Sequence, residues 1–168
     1  MININKSDII DCILSELERI RAQTILAAKQ AYETATAAEN KAENKYDTLG
    51  LEAAYLAEGQ SRRVQQCEED ILAYKKMPVI SFSEETPIQQ GAFIKLLDQN
   101  NVEYYFFLGP VAGGLSVSFA LDKKLTINFK LITAQSPIGK ALISLKVGDE
   151  LDLKLGHNNL IYEIMALV

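Results

Sequence analysis

Ile10-Asp11-Cys12-Ile13-Leu14-Ser15-Glu16-Leu17-Glu18-Arg19-Ile20 opens the apolar stripe that decides the fold. The stripe continues through Thr24, Ala27 and Ala31, and a second one reads Ala53, Ala57, Gln60, Val64, Cys67, Ile71, Tyr74. Both alternate steps of three and four, the spacing of a helix that buries a narrow seam against another helix. Between the stripes, Ala38-Glu39-Asn40-Lys41 is followed by the near-repeat Ala42-Glu43-Asn44-Lys45, with no large apolar residue. An antiparallel hairpin turning near residue 42 sets Ile13 opposite Ile71, Leu17 opposite Cys67, Ile20 opposite Val64, Ala27 opposite Ala57 and Ala31 opposite Ala53. Large residues then meet at the base and alanines toward the tip. Each arm of roughly thirty residues reaches about 45 Å at 1.5 Å per residue. A hairpin of that length cannot bury itself in a small domain, so its tip is predicted to carry function.

Local signals bound the two helices. Ser7 is a good N-cap with Asp8 in the first turn, and the alanine-rich continuation sustains helix to about residue 40. Asp47 or Thr48 can cap the second helix, Lys75 and Lys76 suit its negative end, and Pro78 stops it. From Val79 the texture changes to strands. These are predicted over 92–97, 102–108, 115–119, 125–132, 151–155 and 160–168, with Asp98-Gln99-Asn100-Asn101 as a turn. Ser136-Pro137-Ile138-Gly139-Lys140-Ala141-Leu142-Ile143 differs: a cap, then a favoured first helical residue, then a short apolar helix. The expected architecture is α+β, with a helical hairpin over 1–77 and a compact domain over 78–168.

Composition excludes several function classes. With 17 basic against 22 acidic residues the net charge is −5, and the absence of a Lys/Arg-rich run argues against direct binding to RNA or DNA. No apolar run approaches the ~18 residues that span a bilayer. The start, Met1-Ile2-Asn3-Ile4-Asn5-Lys6, lacks the layout of a secretory signal. Cys12 and Cys67 are too few for a disulfide framework and out of step in the hairpin register, so both read as small core residues in a reducing compartment. We expect a cytoplasmic monomer.

The run Ser136-Pro137-Ile138-Gly139-Lys140-Ala141-Leu142-Ile143-Ser144-Leu145-Lys146-Val147-Gly148-Asp149-Glu150, followed by Asn159-Leu160-Ile161-Tyr162-Glu163-Ile164, resembles the Gre transcript-cleavage factors of bacterial RNA polymerase. The resemblance spans nearly the whole chain, since hairpin length and domain order agree as well. It implies a coiled-coil hairpin followed by a small FKBP-like antiparallel β domain with one short helix. It further implies a partner, bacterial RNA polymerase, with the globular domain docked at the rim of the secondary channel and the hairpin inserted toward the active centre. RNA and DNA are then met only through the polymerase complex. Gln135, Ser136 and Pro137 are the docking candidates this implies, although relatives often carry an acidic residue where Gln135 stands.

In cleavage-competent members an Asp-x-x-Glu-Asn pattern at the tip helps hold a catalytic Mg²⁺, an ion that prefers hard oxygen ligands. Here Glu43-Asn44 matches, but Asn40 occupies the Asp position, and an amide is a poorer ligand that cannot act as a base. Glu39, Glu43 and Asp47 are the metal-proximal candidates, with Glu39 and Glu43 the potential Mg²⁺ ligands in the complex. Asn40, Lys41, Asn44 and Lys45 are the tip contacts. Channel binding is favoured over cleavage, and any hydrolysis belongs to the polymerase, so the protein is not itself an enzyme.

Plainer explanations stand beside these. Glu and Lys at four-residue spacing usually form a solvated helix surface, and Ser136-Pro137 is locally a helix start. Tyr104-Tyr105-Phe106-Phe107 reads as a strand, not as a platform for stacked bases, because no basic residues interleave. His157 falls in the polar turn Gly156-His157-Asn158-Asn159. No nucleophile–base constellation or phosphate loop is visible. The alternative function is a structural interaction module whose hairpin pairs with a partner or with itself, without a role in transcription.

Overall fold

The computed structural model describes residues 4–37, 49–121, 125–155 and 158–168. Two long helices come first, α1 (Lys6–Thr36) and α2 (Leu49–Lys76). Strands β1 (Phe93–Asp98), β2 (Glu103–Gly109), β3 (Ser116–Ala120) and β4 (Thr126–Thr133) follow. The chain closes with the short helix α3 (Pro137–Leu142) and strands β5 (Glu150–Leu155) and β6 (Asn158–Leu167). Two compact units result: residues 14–72, and residues 1–13 together with 73–168.

Every seam position read from the sequence is buried or half-buried, and the positions between them are largely exposed. Within the 14–72 unit, Arg21 of α1 donates to Glu68 of α2 at 2.8 Å, an ion pair that bridges the two helices beside the seam. The start of α1 differs from the expected Ser7 cap. The Asn5 side-chain oxygen accepts from the Ser7 amide at 3.1 Å, and its carbonyl accepts from Ile9, so Asn5 caps and Lys6 joins the helix. Asn and Ser cap equally well, and the earlier cap adds Lys6 and Ser7 to the helix. At the other end Lys75 and Lys76 occupy the last turn of α2, as expected.

In the second unit the six strands form one sheet in the order β3-β4-β2-β1-β6-β5. Four of the five pairings are antiparallel, but β2 and β4 run parallel, with Phe106 opposite Lys130 and Gly109 opposite Thr133. The sheet is thus mixed where an antiparallel one was expected. After β2 the connection Pro110–Leu115 carries the chain across two strand spacings, about 10 Å, and β4 then returns in the gap between β2 and β3. Nothing in strand alternation distinguishes that path from a simple meander.

Alternation along the strands sorts the core into two faces. Ile94, Leu96, Leu108, Ile132, Tyr162 and Ile164 pack with Leu142 of α3. The opposite face presents Phe93, Phe107, Phe129 and Leu131, all buried, with the Phe93 and Phe129 rings edge to face at 5.3 Å. Ends of the long helices belong to this unit. Ile9, Ile13 and Tyr74 are buried, and the Tyr74 ring lies 6.3 Å from that of Phe107. Lys6 donates to the Ile80 carbonyl and sits 4.0 Å from the centre of the Phe82 ring. Burial lowers its pKa from 10.5 to about 8.

Candidate functional site

Ser136 organises the segment between β4 and α3. Its backbone is extended, its hydroxyl donates to the Thr133 carbonyl at 2.7 Å, and the same oxygen accepts from the Gly139 amide at 3.1 Å. Pro137 follows at the first helical position, where a missing N–H costs nothing. The expected cap is therefore present. Gln135 and Pro137 are exposed, whereas Ser136 is half-buried because its side chain is turned inward to the cap. Gly139 is required by space: a Cβ there would lie 2.0 Å from the Thr133 carbonyl oxygen. Beyond α3, Ser144 takes a left-handed conformation (φ 75°) and donates its amide to Ile88, while Ile88 donates to Leu145. The helix is thus pinned at both ends.

A second loop lies against this one. Gly109 and Thr133 end the parallel pair side by side, and a Cβ on Gly113 would meet the Thr133 methyl at 3.2 Å. Gly114 donates its amide to Leu131 at 2.8 Å. The Tyr74 hydroxyl supports the loop from beneath, donating to the Val111 carbonyl at 3.0 Å. Gly109 makes room for it, since a Cβ there would fall 2.0 Å from the Tyr74 oxygen. The sequence pattern puts Tyr74 in the helical seam and ends the second strand at Leu108, one residue before Gly109. A glycine at the end of an aromatic strand is the one signal that pointed to a close approach there.

Glu39, Asn40, Lys41, Glu43, Asn44, Lys45 and Asp47, the tip residues, lie outside the described residues, as does His157. Among the described residues no group of three His, Cys, Asp or Glu side chains is placed to hold a metal ion. Cys12 and Cys67 are free thiols. Elsewhere a cavity of about 560 Å³ is lined by Phe82, Phe93, Lys95, Tyr105 and Met165. Beside it Lys95 pairs with Glu103 at 2.6 Å, and Tyr105 donates to the other Glu103 oxygen at 2.7 Å. Both bonds hold the Glu103 carboxyl below its ordinary range. This cavity does not include Gln135, Ser136 or Pro137.

The fold and the Ser-Pro segment together define a class: two long helices and a small mixed-sheet domain whose short helix begins at half-buried Ser136 and exposed Pro137. Residues 121–167 match the family described as transcription elongation factor, GreA/GreB, C-terminal domain. The solved structure of the GreA factor homolog 1 (Gfh1) protein of Thermus thermophilus is 18% identical, with 92% of this chain and 94% of that one covered and a TM-score of 0.37. Gfh1 of Thermus aquaticus is 17% identical over 91% of this chain and 92% of that one, also with a TM-score of 0.37. A prokaryotic transcription elongation factor GreA/GreB from Nitrosomonas europaea is 19% identical, covering 61% of this chain and 78% of its own, with a TM-score of 0.35. No curated protein matches the chain. The matched residues include the whole Ser136–Glu150 run. Among the described residues no helix is long and apolar enough to cross a membrane.

Proposed function

We propose that this protein is a transcription elongation factor that binds bacterial RNA polymerase and acts on it through the secondary channel. The sheet domain docks through Gln135, Ser136 and Pro137, and the hairpin tip enters the channel. The observation that carries this reading is the family match over residues 121–167, which contains Ser136 and the exposed Pro137. The protein is an accessory factor in this reading: the polymerase performs any bond breaking, and Asn40, Lys41, Asn44 and Lys45 contact it from the tip.

The tip's donor set decides between two outcomes in the channel. Glu39, Glu43 and Asp47 are carboxylates of the kind Mg²⁺ accepts, and when bound the ion supplies charge for phosphodiester hydrolysis. Asn40 offers only a neutral amide at the position where a second carboxylate is needed beside Glu43. The protein therefore modulates elongation or pausing more than it stimulates cleavage.

The full chain is expected to co-elute with core RNA polymerase and to change the escape of a stalled elongation complex. On a backtracked complex it should stimulate transcript cleavage weakly, and Asn40→Asp should raise that cleavage about tenfold, equivalent to ~1.4 kcal/mol of barrier. Failure to co-elute, together with unaltered escape of the stalled complex, refutes the reading.

A second reading has one observation in its favour. The 14–72 unit exposes Leu26, Tyr32, Tyr55 and Leu56, each more than half accessible. Such side chains suit a helix partner or a second copy of the hairpin. Sedimentation of the free protein distinguishes the two, since self-association through the hairpin predicts a concentration-dependent mass.

A further inference from the structure

We propose that the free edge of β3 pairs with β3 of a second copy of this chain, antiparallel about Ser118, so that two sheets join into one. The free protein then forms pairs in solution, where the sequence led us to expect a monomer. The inference is independent of the polymerase reading. It also differs from self-association through the hairpin, because it uses main-chain groups of the sheet.

β3 ends the sheet, and among the described residues no strand pairs with its far side. Its register with β4 runs unbroken from Ser116 opposite Lys130 to Ala120 opposite Thr126. Just beyond the two ends, Leu131 donates its amide to the Leu115 carbonyl at 2.8 Å, and Leu121 donates to the Leu125 carbonyl at 2.9 Å. Antiparallel ladders alternate bonded and non-bonded pairs, so Leu115, Val117, Phe119 and Leu121 are the residues bonded to β4. The amides and carbonyls of Ser116, Ser118 and Ala120 therefore point away from the sheet. The Ser118 hydroxyl does not cover them, since it is turned back to the Asn128 side chain at 2.7 Å. Main-chain groups in such a row fit one kind of partner, another extended strand.

The strand complements itself. An antiparallel copy centred on Ser118 sets Ser116 opposite Ala120 of the second copy, and the two Ser118 residues opposite each other. These are bonded pairs that exchange both hydrogen bonds, so one register satisfies every outward amide and carbonyl of both strands. On the other face the same register sets Leu115 opposite Leu121 of the second copy, and Val117 opposite Phe119. Leu115 and Leu121 are only half-buried in the single chain, and an aromatic against a β-branched residue is a favourable cross-strand pair. A foreign strand would have to bring apolar residues at these same alternate positions, whereas a second copy brings them in register. The strand at the opposite edge, β5, exposes Glu150 and Asp152, charges of the kind that keep an edge from pairing.

The test is sedimentation equilibrium of the full chain over a range of concentrations, with hydrogen exchange read amide by amide. Wild-type mass is expected to rise toward twice that of one chain, while the Ser116, Ser118 and Ala120 amides gain protection. The Val117 and Phe119 amides, already bonded to β4, should change little. Ser118→Pro removes an amide that the single chain does not use, so it should fold and stay monomeric at every concentration. Ser118→Lys keeps the amide but sets two ammonium groups face to face, which should weaken pairing about fivefold or more. If Ser118→Pro fails to fold, Ser118→Lys decides alone. Constant wild-type mass overturns the inference. Association that the Ser118 variants leave intact also overturns it and assigns the contact to the hairpin. Protection of the Ser116, Ser118 and Ala120 amides only when RNA polymerase is added gives the edge to a strand of that enzyme, and self-pairing is again overturned.

Discussion

A chain cut to residues 79–168 is expected not to fold cooperatively, although it keeps every strand and α3. The sheet has two apolar faces, and α3 covers only one of them through Leu142. The other presents Phe93, Phe107, Phe129 and Leu131, none more than 2% exposed in the intact chain. The compact unit that contains the sheet also takes in residues 1–13 and 73–78. Ile9, Ile13, Tyr74 and Met77 are buried there, and Tyr74 lies on Phe107 and in the Gly109 gap. Burial of each such side chain contributes ~1.5–3 kcal/mol. Loss of four forfeits roughly 6–12 kcal/mol, as much as the whole stability of an ordinary domain, about 5–15 kcal/mol. Circular dichroism of the fragment should show no sharp melt, and its exposed aromatic face should bind a hydrophobic dye. A cooperative transition near that of the full chain contradicts this account of the sheet.

Gly139→Ala is the single substitution expected to cost most. The added methyl would stand 2.0 Å from the Thr133 carbonyl oxygen and 2.9 Å from the Ser136 hydroxyl. The first is backbone at the end of β4, fixed by its pairing with β2, so it cannot swing aside as a flexible side chain would. Relief requires α3 to move, which breaks the Ser136 cap and lifts Leu142 from the core. Overpacking costs ~1–3 kcal/mol and a lost cap ~1 kcal/mol, so a loss of roughly 3 kcal/mol is expected in denaturant unfolding. Lys140→Ala, one residue on and exposed, should change stability by less than about 0.5 kcal/mol. Equal effects of the two would remove the steric explanation.

The helices were legible because a buried seam repeats in sequence, and a repeat of three and four has one cheap structural answer. The stripe positions from Ile10 to Ala31 and from Ala53 to Tyr74 are buried or half-buried where that repeat puts them. The Ser136 cap was legible for a similar reason, since Ser-Pro before an apolar run satisfies two local rules at once. Asn5 and Ser7 were not separable, because either can cap and the choice depends on whether Lys6 finds a partner, which it does at Ile80. The parallel pairing of β2 with β4 was hidden because strand alternation fixes which face a residue takes, not which neighbour its strand takes. Tyr74 shows the same limit at one residue. Its ring fits the seam pattern, while its hydroxyl serves a loop 37 positions away that no local pattern connects to it.

A photo-crosslinking residue placed at position 43 in the full chain, bound to core RNA polymerase, tests the central claim most directly. The reading predicts a crosslink inside the secondary channel beside the polymerase's catalytic metal site, lost on competition with unlabelled protein. Crosslinks confined to the outer surface of the enzyme, or none from a complex that has formed, would contradict it.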